Sequence, residues 1–367
     1  MTSEALVPYD AVLLVSFGGP EAPEEVMPFL RRVTSGRGIP DDRLEQVAQH
    51  YYLFGGRSPI NEQNRALVGA LEAELKERDL DLPVLWGNRN SEPFLVDAFR
   101  DAAARGLHRL VVILTSAYSS YSSCRQYREN LADAFAEARE RAGNGLVLEI
   151  DKIGPYALRP VFVNPNARLI LEALQRRADV PDDELALLFV THSIPDGMDE
   201  TSGPGDGEGR LYSEQHHVLA ARVADRVRAE LGRTLAPEVV YCSRSGPPSQ
   251  PWLEPDVNDR LEELAQLGRR VVVLAPVGFV SDHMEVVYDL DTEAAETAAR
   301  LGLQLDRVPT VGVDQEFVAG LVDLLVERAA EARGEPVPSG PDVRPSVCPP
   351  GCCPNLRVDR PALCGSD

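Results

Sequence analysis

His192 and a row of carboxylates are the residues in this sequence best suited to do chemistry. Glu285, Asp289 and Glu293 recur at i, i+4 and i+8, a spacing that places them along one face of a helix. Stacked like charges repel, and acidic helix faces usually carry Lys or Arg one turn away. Between His283 and Arg300 this segment has no basic residue. The row therefore reads as a path for cations or protons rather than as a salt-bridged surface. His192 closes an apolar run and precedes Ser193-Ile194-Pro195. A neutral imidazole and a carboxylate could bind a divalent transition metal, or accept protons from a substrate. Asp282 and His283 stand just ahead of the acids, and Asp282 is expected to cap the helix.

Two further stretches carry reactive groups. Tyr118 to Tyr127 gathers hydroxyls around Cys124 and Arg125, and Ser58 follows the Gly55-Gly56 turn. Hydroxyls, backbone N–H groups and a guanidinium suit the carboxylates of a ligand. Of the six cysteines, Cys348, Cys352, Cys353 and Cys364 fall after residue 347. Their spacing differs from the C-x2-C…C-x2-C zinc pattern. In a reducing compartment such clustering points to metal or an iron–sulfur cluster rather than to disulfides. Cys124 could join them from the body of the chain, whereas Cys242 reads as a buried strand-end thiol.

These residues need rigid elements behind them. Ala11 to Ser16, Leu110 to Leu114, Leu185 to Val190 and Val271 to Leu274 are apolar, β-branched runs of the kind buried in parallel sheets. Val84 to Gly87 and Val239 to Cys242 are shorter strands, and helices are expected over 24–30, 42–52, 62–77, 94–104, 255–267 and 314–327. The stretches 86–114 and 242–274 share one order: short strand, polar loop with Arg and Pro, helix, lone Gly, Val-rich strand. That repetition predicts two related α/β domains. In open parallel sheets ligands bind beyond the carboxyl ends of the strands. The rule gathers Phe17-Gly18-Gly19, Tyr118 to Tyr127, His192 and His283 to Glu285 around one cleft. The expected division is 1–155 and 156–313 as two domains, 314–335 as a helix returning to the first, and 336–367 as a Pro/Gly/Cys-rich tail. Thr201 to Gly209 is expected to be a mobile surface loop.

Composition narrows the field. A net charge of −21 argues against nucleic acid as a partner. No G-x-G-x-x-G or G-x-x-x-x-G-K-[ST] is present, so no nucleotide is expected. No apolar run approaches the roughly 20 residues of a membrane helix. Residues 1–8 lack the basic and apolar regions of a signal peptide, so a cytoplasmic location is expected.

Five motifs resemble those of the ferrochelatases, in family order: Val15-Ser16-Phe17-Gly18-Gly19-Pro20; Gly55-Gly56-Arg57-Ser58-Pro59-Ile60; Thr191-His192-Ser193-Ile194-Pro195; Ser245-Gly246-Pro247-Pro248 with Pro251-Trp252-Leu253; and Pro276-Val277-Gly278-Phe279-Val280-Ser281-Asp282-His283-Met284-Glu285. The similarity runs from about Val12 to Glu327 and is strongest to the actinobacterial coproporphyrin III branch. It implies two Rossmann-like, chelatase-type domains with parallel sheets around one cleft, and insertion of Fe2+, as substrate, into a porphyrin. Coproporphyrin III is the favoured substrate. Alternatives are protoporphyrin IX, a cobalt chelatase, or a tetrapyrrole or metal carrier without turnover. By the same resemblance His192 and Glu285 bind iron or take the pyrrole protons, with Asp289 and Glu293 as an outer route. Ser58, Tyr127, Arg37 and Tyr121 would contact the porphyrin carboxylates. Some relatives ligate iron through a Tyr at the position of Phe17, which cannot do so here. A [2Fe-2S] cluster is implied on Cys124, Cys348, Cys352 and Cys353, with Cys364 as alternate. An iron donor and a downstream heme-pathway enzyme are the implied partners.

Overall fold

The computed structural model of the chain describes residues 3–36, 38–143, 145–204, 209–246 and 249–366. The first half builds β1 (Ala11–Ser16), β2 (Val84–Asn88), β3 (Arg109–Leu114) and β4 (Glu149–Lys152) into one parallel sheet of order β2-β1-β3-β4. The second half builds β5 (Leu185–His192), β6 (Glu238–Cys242), β7 (Val271–Ala275) and β8 (Gln304–Arg307) into a parallel sheet of order β6-β5-β7-β8. Shifted by four, the two orders are the same, so the repetition read from the sequence is also a repetition of topology.

In chain order the helices are α1 (Pro23–Val33), α2 (Asp41–Leu53), α3 (Ile60–Glu77), α4 (Leu95–Ala104), α5 (Gln126–Arg141) and α6 (Pro160–Gln175), then α7 (Asp196–Glu200), α8 (Leu211–Leu231), α9 (Val257–Gln266), α10 (Met284–Val286), α11 (Ala295–Leu301) and α12 (Gln315–Ala332). β1 and β7 are buried along their whole length, as their unbroken apolar runs require. The edge strands β4 and β8 are short, charged and mostly accessible, which protects an edge from pairing but hides it from pattern reading.

One apolar core spans both halves, and α6 and α12 lie in its middle, with α3 and α8 beside them. Separate clusters back the outer face of each sheet, through α4 and α5 in one and α9 and α11 in the other. A fourth joins α1 and α2 to Met284 at the start of α10. At the centre, Phe317 of α12 meets the rings of Tyr156 and Phe162 at centroid distances of 6.2 and 6.1 Å. Phe317→Ala should therefore cost about 3–5 kcal/mol. Urea unfolding with an unshifted midpoint would refute this packing.

Among the described residues two segments are π-helical, with i→i+5 bonding: Tyr121–Arg125 opening α5, and Val287–Ala294 joining α10 to α11. The expected α-helical row of acids thus lies on a π-helical segment over Asp289 and Glu293. The cap is also corrected. His283, not Asp282, caps α10, its Nδ1 accepting from the Val286 N–H at 3.4 Å, while Asp282 pairs with Arg307. In the expected surface loop, residues 205–208 lie outside the described residues. Ser202 and Gly203, however, are anchored rather than surface-exposed: Ser202 is buried, and Gly203 is bonded to Cys353 in both directions. Among the described residues no helix is long and apolar enough to cross a membrane.

Candidate active site

A cleft of about 270 Å³ opens where the carboxyl ends of β1, β3, β5 and β7 face one another. In each sheet the first strand in sequence, β1 or β5, is flanked by the next two, so the crossovers leave it in opposite directions and a gap remains there. The loop after β1 brings Phe17 and Gly18, and the loop after β3 brings Ser122, Ser123 and Tyr127. β5 ends on His192, and the loop after β7 brings Gly278, His283 and Glu285.

His192 Nε2 stands 3.4 Å from Glu285 Oε2, both side chains being partly open to the cleft. Its Nδ1 is 2.5 Å from the carbonyl oxygen of Ser193. A carbonyl only accepts, so the proton sits on Nδ1 and the Nε2 lone pair faces Glu285 and the cleft. Burial opposes charging the ring, but the hydrogen bond and charge of Glu285, the Ser193 carbonyl and Asp289 outweigh it, and the His192 pKa is raised. Behind the strand, Tyr212 donates to the His192 carbonyl at 2.8 Å, and its oxygen pairs with Thr191 Oγ1 at 2.8 Å. Tyr118, stacked on His216 at 3.7 Å, donates to Val277 O at 2.8 Å. These bonds tie the end of β5 to α8 and the segment after β7 to the loop after β3.

Asp289 lies behind Glu285 and accepts from the Ser243 hydroxyl. Burial lifts its pKa to about 7, the Ser243 bond opposes this, and the charge of Glu285 adds to it. Removing the hydroxyl in Ser243→Ala should raise the Asp289 pKa further. A carboxyl NMR titration of the metal-free chain reads this directly, and a midpoint that stays or falls contradicts it. Glu293 is farther out, its pKa raised by burial and by Asp256 and Glu296.

The remaining expected residues separate. Ser58 and Tyr127 line the cleft, and Ser58 Oγ accepts from Met284 N at 3.2 Å. Tyr121 does not line it: its hydroxyl points to Glu129 and Asn355. The π-helical turn presents its neighbours Ser122 and Ser123 instead. Arg37 lies outside the described residues. Sequence reasoning missed Arg89, noted only as part of a polar loop after β2. It lies on the cleft wall with its guanidinium 4.3 Å over the Tyr127 ring and 5.3 Å over Phe17, its Nε donating to Asn130 at 2.7 Å. Burial lowers its pKa, so a ligand anion would relieve a desolvated cation. Its position just beyond a strand end was the available signal.

The tail folds back over the first sheet. At Gly154 an added Cβ would strike the carbonyl oxygen of Arg344, so the chain passes there in direct backbone contact. Cys124, Cys348, Cys352 and Cys353 form a continuous chain of thiol contacts, with Cys352 Sγ 3.9 Å from Cys353 Sγ. Cys364 instead donates to Ile150 O at 3.3 Å, and burial raises its pKa to about 12. Hydrogen bonds from Cys124 and Cys352 hold Cys348 well below the ordinary thiol range against burial, aided by Lys152 and Arg128. Both cations are themselves buried. Among the described residues no group of three or more His, Cys, Asp or Glu converges as a single metal ion requires. Four thiols in one run beside two buried cations are the donor type an iron–sulfur cluster takes, but they do not converge on one point.

The ferrochelatase family model matches residues 9–329. The coproporphyrin III ferrochelatases of Streptomyces griseus and Streptomyces coelicolor are 52% and 51% identical to this chain, the alignments covering 98% of it and 97% of each relative. That of Corynebacterium glutamicum is 41% identical over 98% of both chains. Among solved structures, SirB from Bacillus subtilis with Fe3+ matches with a TM-score of 0.50 at 12% identity, over 88% of this chain and 97% of SirB, a likeness of fold alone.

Proposed function

The chain belongs to the ferrochelatase family, and from that premise we propose that it inserts Fe2+ into coproporphyrin III, giving Fe-coproporphyrin III in heme biosynthesis. The observation that carries the site assignment is the approach of His192 Nε2 to Glu285 Oε2, 3.4 Å apart on the cleft wall. Insertion exchanges two pyrrole N–H protons for one dication, so a base must stand at the macrocycle centre. His192 supplies it through Nε2, because Nδ1–H is committed to Ser193. Glu285 stabilises the resulting imidazolium and accepts protons from it. Asp289, titrating near 7, passes them outward, with Glu293 beyond. The same nitrogen and carboxylate, when unprotonated, are the ligands the incoming Fe2+ meets. Ser58, Tyr127 and Arg89 hold porphyrin carboxylates with hydroxyl and guanidinium donors. The four carboxylates of coproporphyrin III suit that wall better than the two of protoporphyrin IX.

Only neutral His192 can take a proton, so kcat/KM should rise with pH through its pKa. Glu285 is what raises that pKa, so Glu285→Gln should move this limb to lower pH while the plateau falls. A limb moving to higher pH contradicts the pairing. The activity itself is tested by supplying purified chain anaerobically with Fe2+ and either coproporphyrin III or protoporphyrin IX, and following loss of porphyrin fluorescence. If neither is metallated the reading fails, and if only protoporphyrin IX is, the substrate assignment fails.

A [2Fe-2S] cluster on Cys124, Cys348, Cys352 and Cys353 belongs to the same proposal, supported by the run of thiol contacts and the buried Lys152 and Arg128. When bound, such a cluster supplies one-electron redox chemistry and crosslinks the tail to the body. A cytoplasmic location suits six free cysteines. An iron donor and the enzyme that takes the product onward are the partners proposed. We read the domains as 1–155 and 156–313, each holding one sheet, with 314–335 and 336–367 appended.

A further inference from the structure

We propose that Asn355 of the tail is a positioning residue for porphyrin binding: through Tyr121 and Glu129 it holds the π-helical turn whose Ser122 and Ser123 line the cleft. The inference rests on the porphyrin reading above, and extends it to a part of the chain that touches no substrate.

The turn Tyr121–Arg125 has one side on the cleft and the other on the tail. Ser122 and Ser123 face the cleft, whereas Cys124 and Arg125 are buried. Its closing bond runs from Gln126 N–H to Tyr121 O, an i→i+5 geometry that backbone preference alone rarely holds. Tertiary contacts must fix it, and they come from Glu129 and the tail. Glu129 is fully buried and accepts from Arg125 Nε at 3.2 Å, from Tyr121 Oη at 3.2 Å and from Asn355 Nδ2 at 3.2 Å. Asn355 Nδ2 also donates to Tyr121 Oη at 2.9 Å. The amide is oriented for this, because its Oδ1 accepts from Arg357 N at 3.1 Å and Val358 N at 3.4 Å. On the flank, Arg125 donates to Arg360 O at 3.0 Å and Arg128 to Leu363 O at 2.6 Å. A buried carboxylate shared by the turn and the tail makes the seat of one the seat of the other.

The experiment compares the full chain with Asn355→Asp, which keeps the size and the Oδ1 acceptor but replaces the donor with a charge facing Glu129. Coproporphyrin III affinity is measured by fluorescence quenching. KM for Fe2+ and the visible absorbance of the chain as purified are measured in parallel. The expected result is a porphyrin Kd weakened roughly tenfold or more, since the bonds from Nδ2 to Glu129 and Tyr121 are lost, with the other two readings unchanged. The double variant Asn355→Asp with Glu129→Gln exchanges amide and carboxylate and should recover most of the affinity. An unchanged Kd in the single variant, or a parallel rise in the iron KM, overturns the inference. Failure of the unaltered chain to bind coproporphyrin III would overturn the proposed function with it.

Discussion

Replacing His192 by alanine is expected to lower kcat for iron insertion by roughly 10²–10⁴-fold, the range of a positioned general base, with little change in porphyrin affinity. The imidazole is placed by the backbone rather than by its neighbours in the cleft. It ends the central strand of its sheet, its Nδ1 is bonded to Ser193 O, and its own carbonyl is held by Tyr212. His283 lines the cleft, but its Nδ1 accepts the Val286 N–H and burial lowers its pKa. Anaerobic metallation of coproporphyrin III measures the effect, and near-parent turnover by the alanine variant would remove His192 from the mechanism.

Gly278→Ala should be nearly as damaging, although the residue carries no functional group. A Cβ there would lie 2.6 Å from Thr191 Cβ and 2.7 Å from Thr191 Cα. Neither side can move away freely. The Gly278 N–H is bonded to Val190 O at 3.0 Å, and Thr191 is paired with Tyr241 of β6, with its hydroxyl in the Tyr212 network. Overpacking of this kind costs about 1–3 kcal/mol. Part of the strain must be relieved by displacing Thr191, and with it His192. The expected outcome is a lower urea midpoint together with a kcat reduced by an order of magnitude or more. A variant with parental midpoint and parental kcat would show that the loop yields without moving the strand.

The central strands were legible because burial on both faces forces an apolar, β-branched run, and Val271–Ala275 is such a run. Of the edge strands, β2 and β6 are buried and apolar enough to be read, whereas β4 and β8 were not legible, because accessibility and charge erase that signature. The π-helical segments left no mark at all: i→i+5 bonding is a tertiary outcome, and its residue types fit an ordinary helix or loop. That one ambiguity accounts for both Tyr121 turning to the tail and the acids of 289–293 leaving an α-helical row. Asp282 was read as a cap because its type favours the position, but Arg307 arrives from β8 to claim it. His192 and Glu285 could be placed in one cleft by the strand-end rule. Their 3.4 Å separation could not, since it depends on how β5 and β7 pair. Arg89 needed its surroundings, the Tyr127 and Phe17 rings beneath its guanidinium, before its position had meaning.

The shared strand order of the two sheets implies a division of labour. On the proposed reading, the groups that touch reacting atoms come from the loops of the second sheet, and most of the groups that grip the porphyrin rim come from the first. A change of metal would then be written after β5 and β7, and a change of macrocycle after β1, β2 and β3. The two specificities can change separately, each within its own sheet.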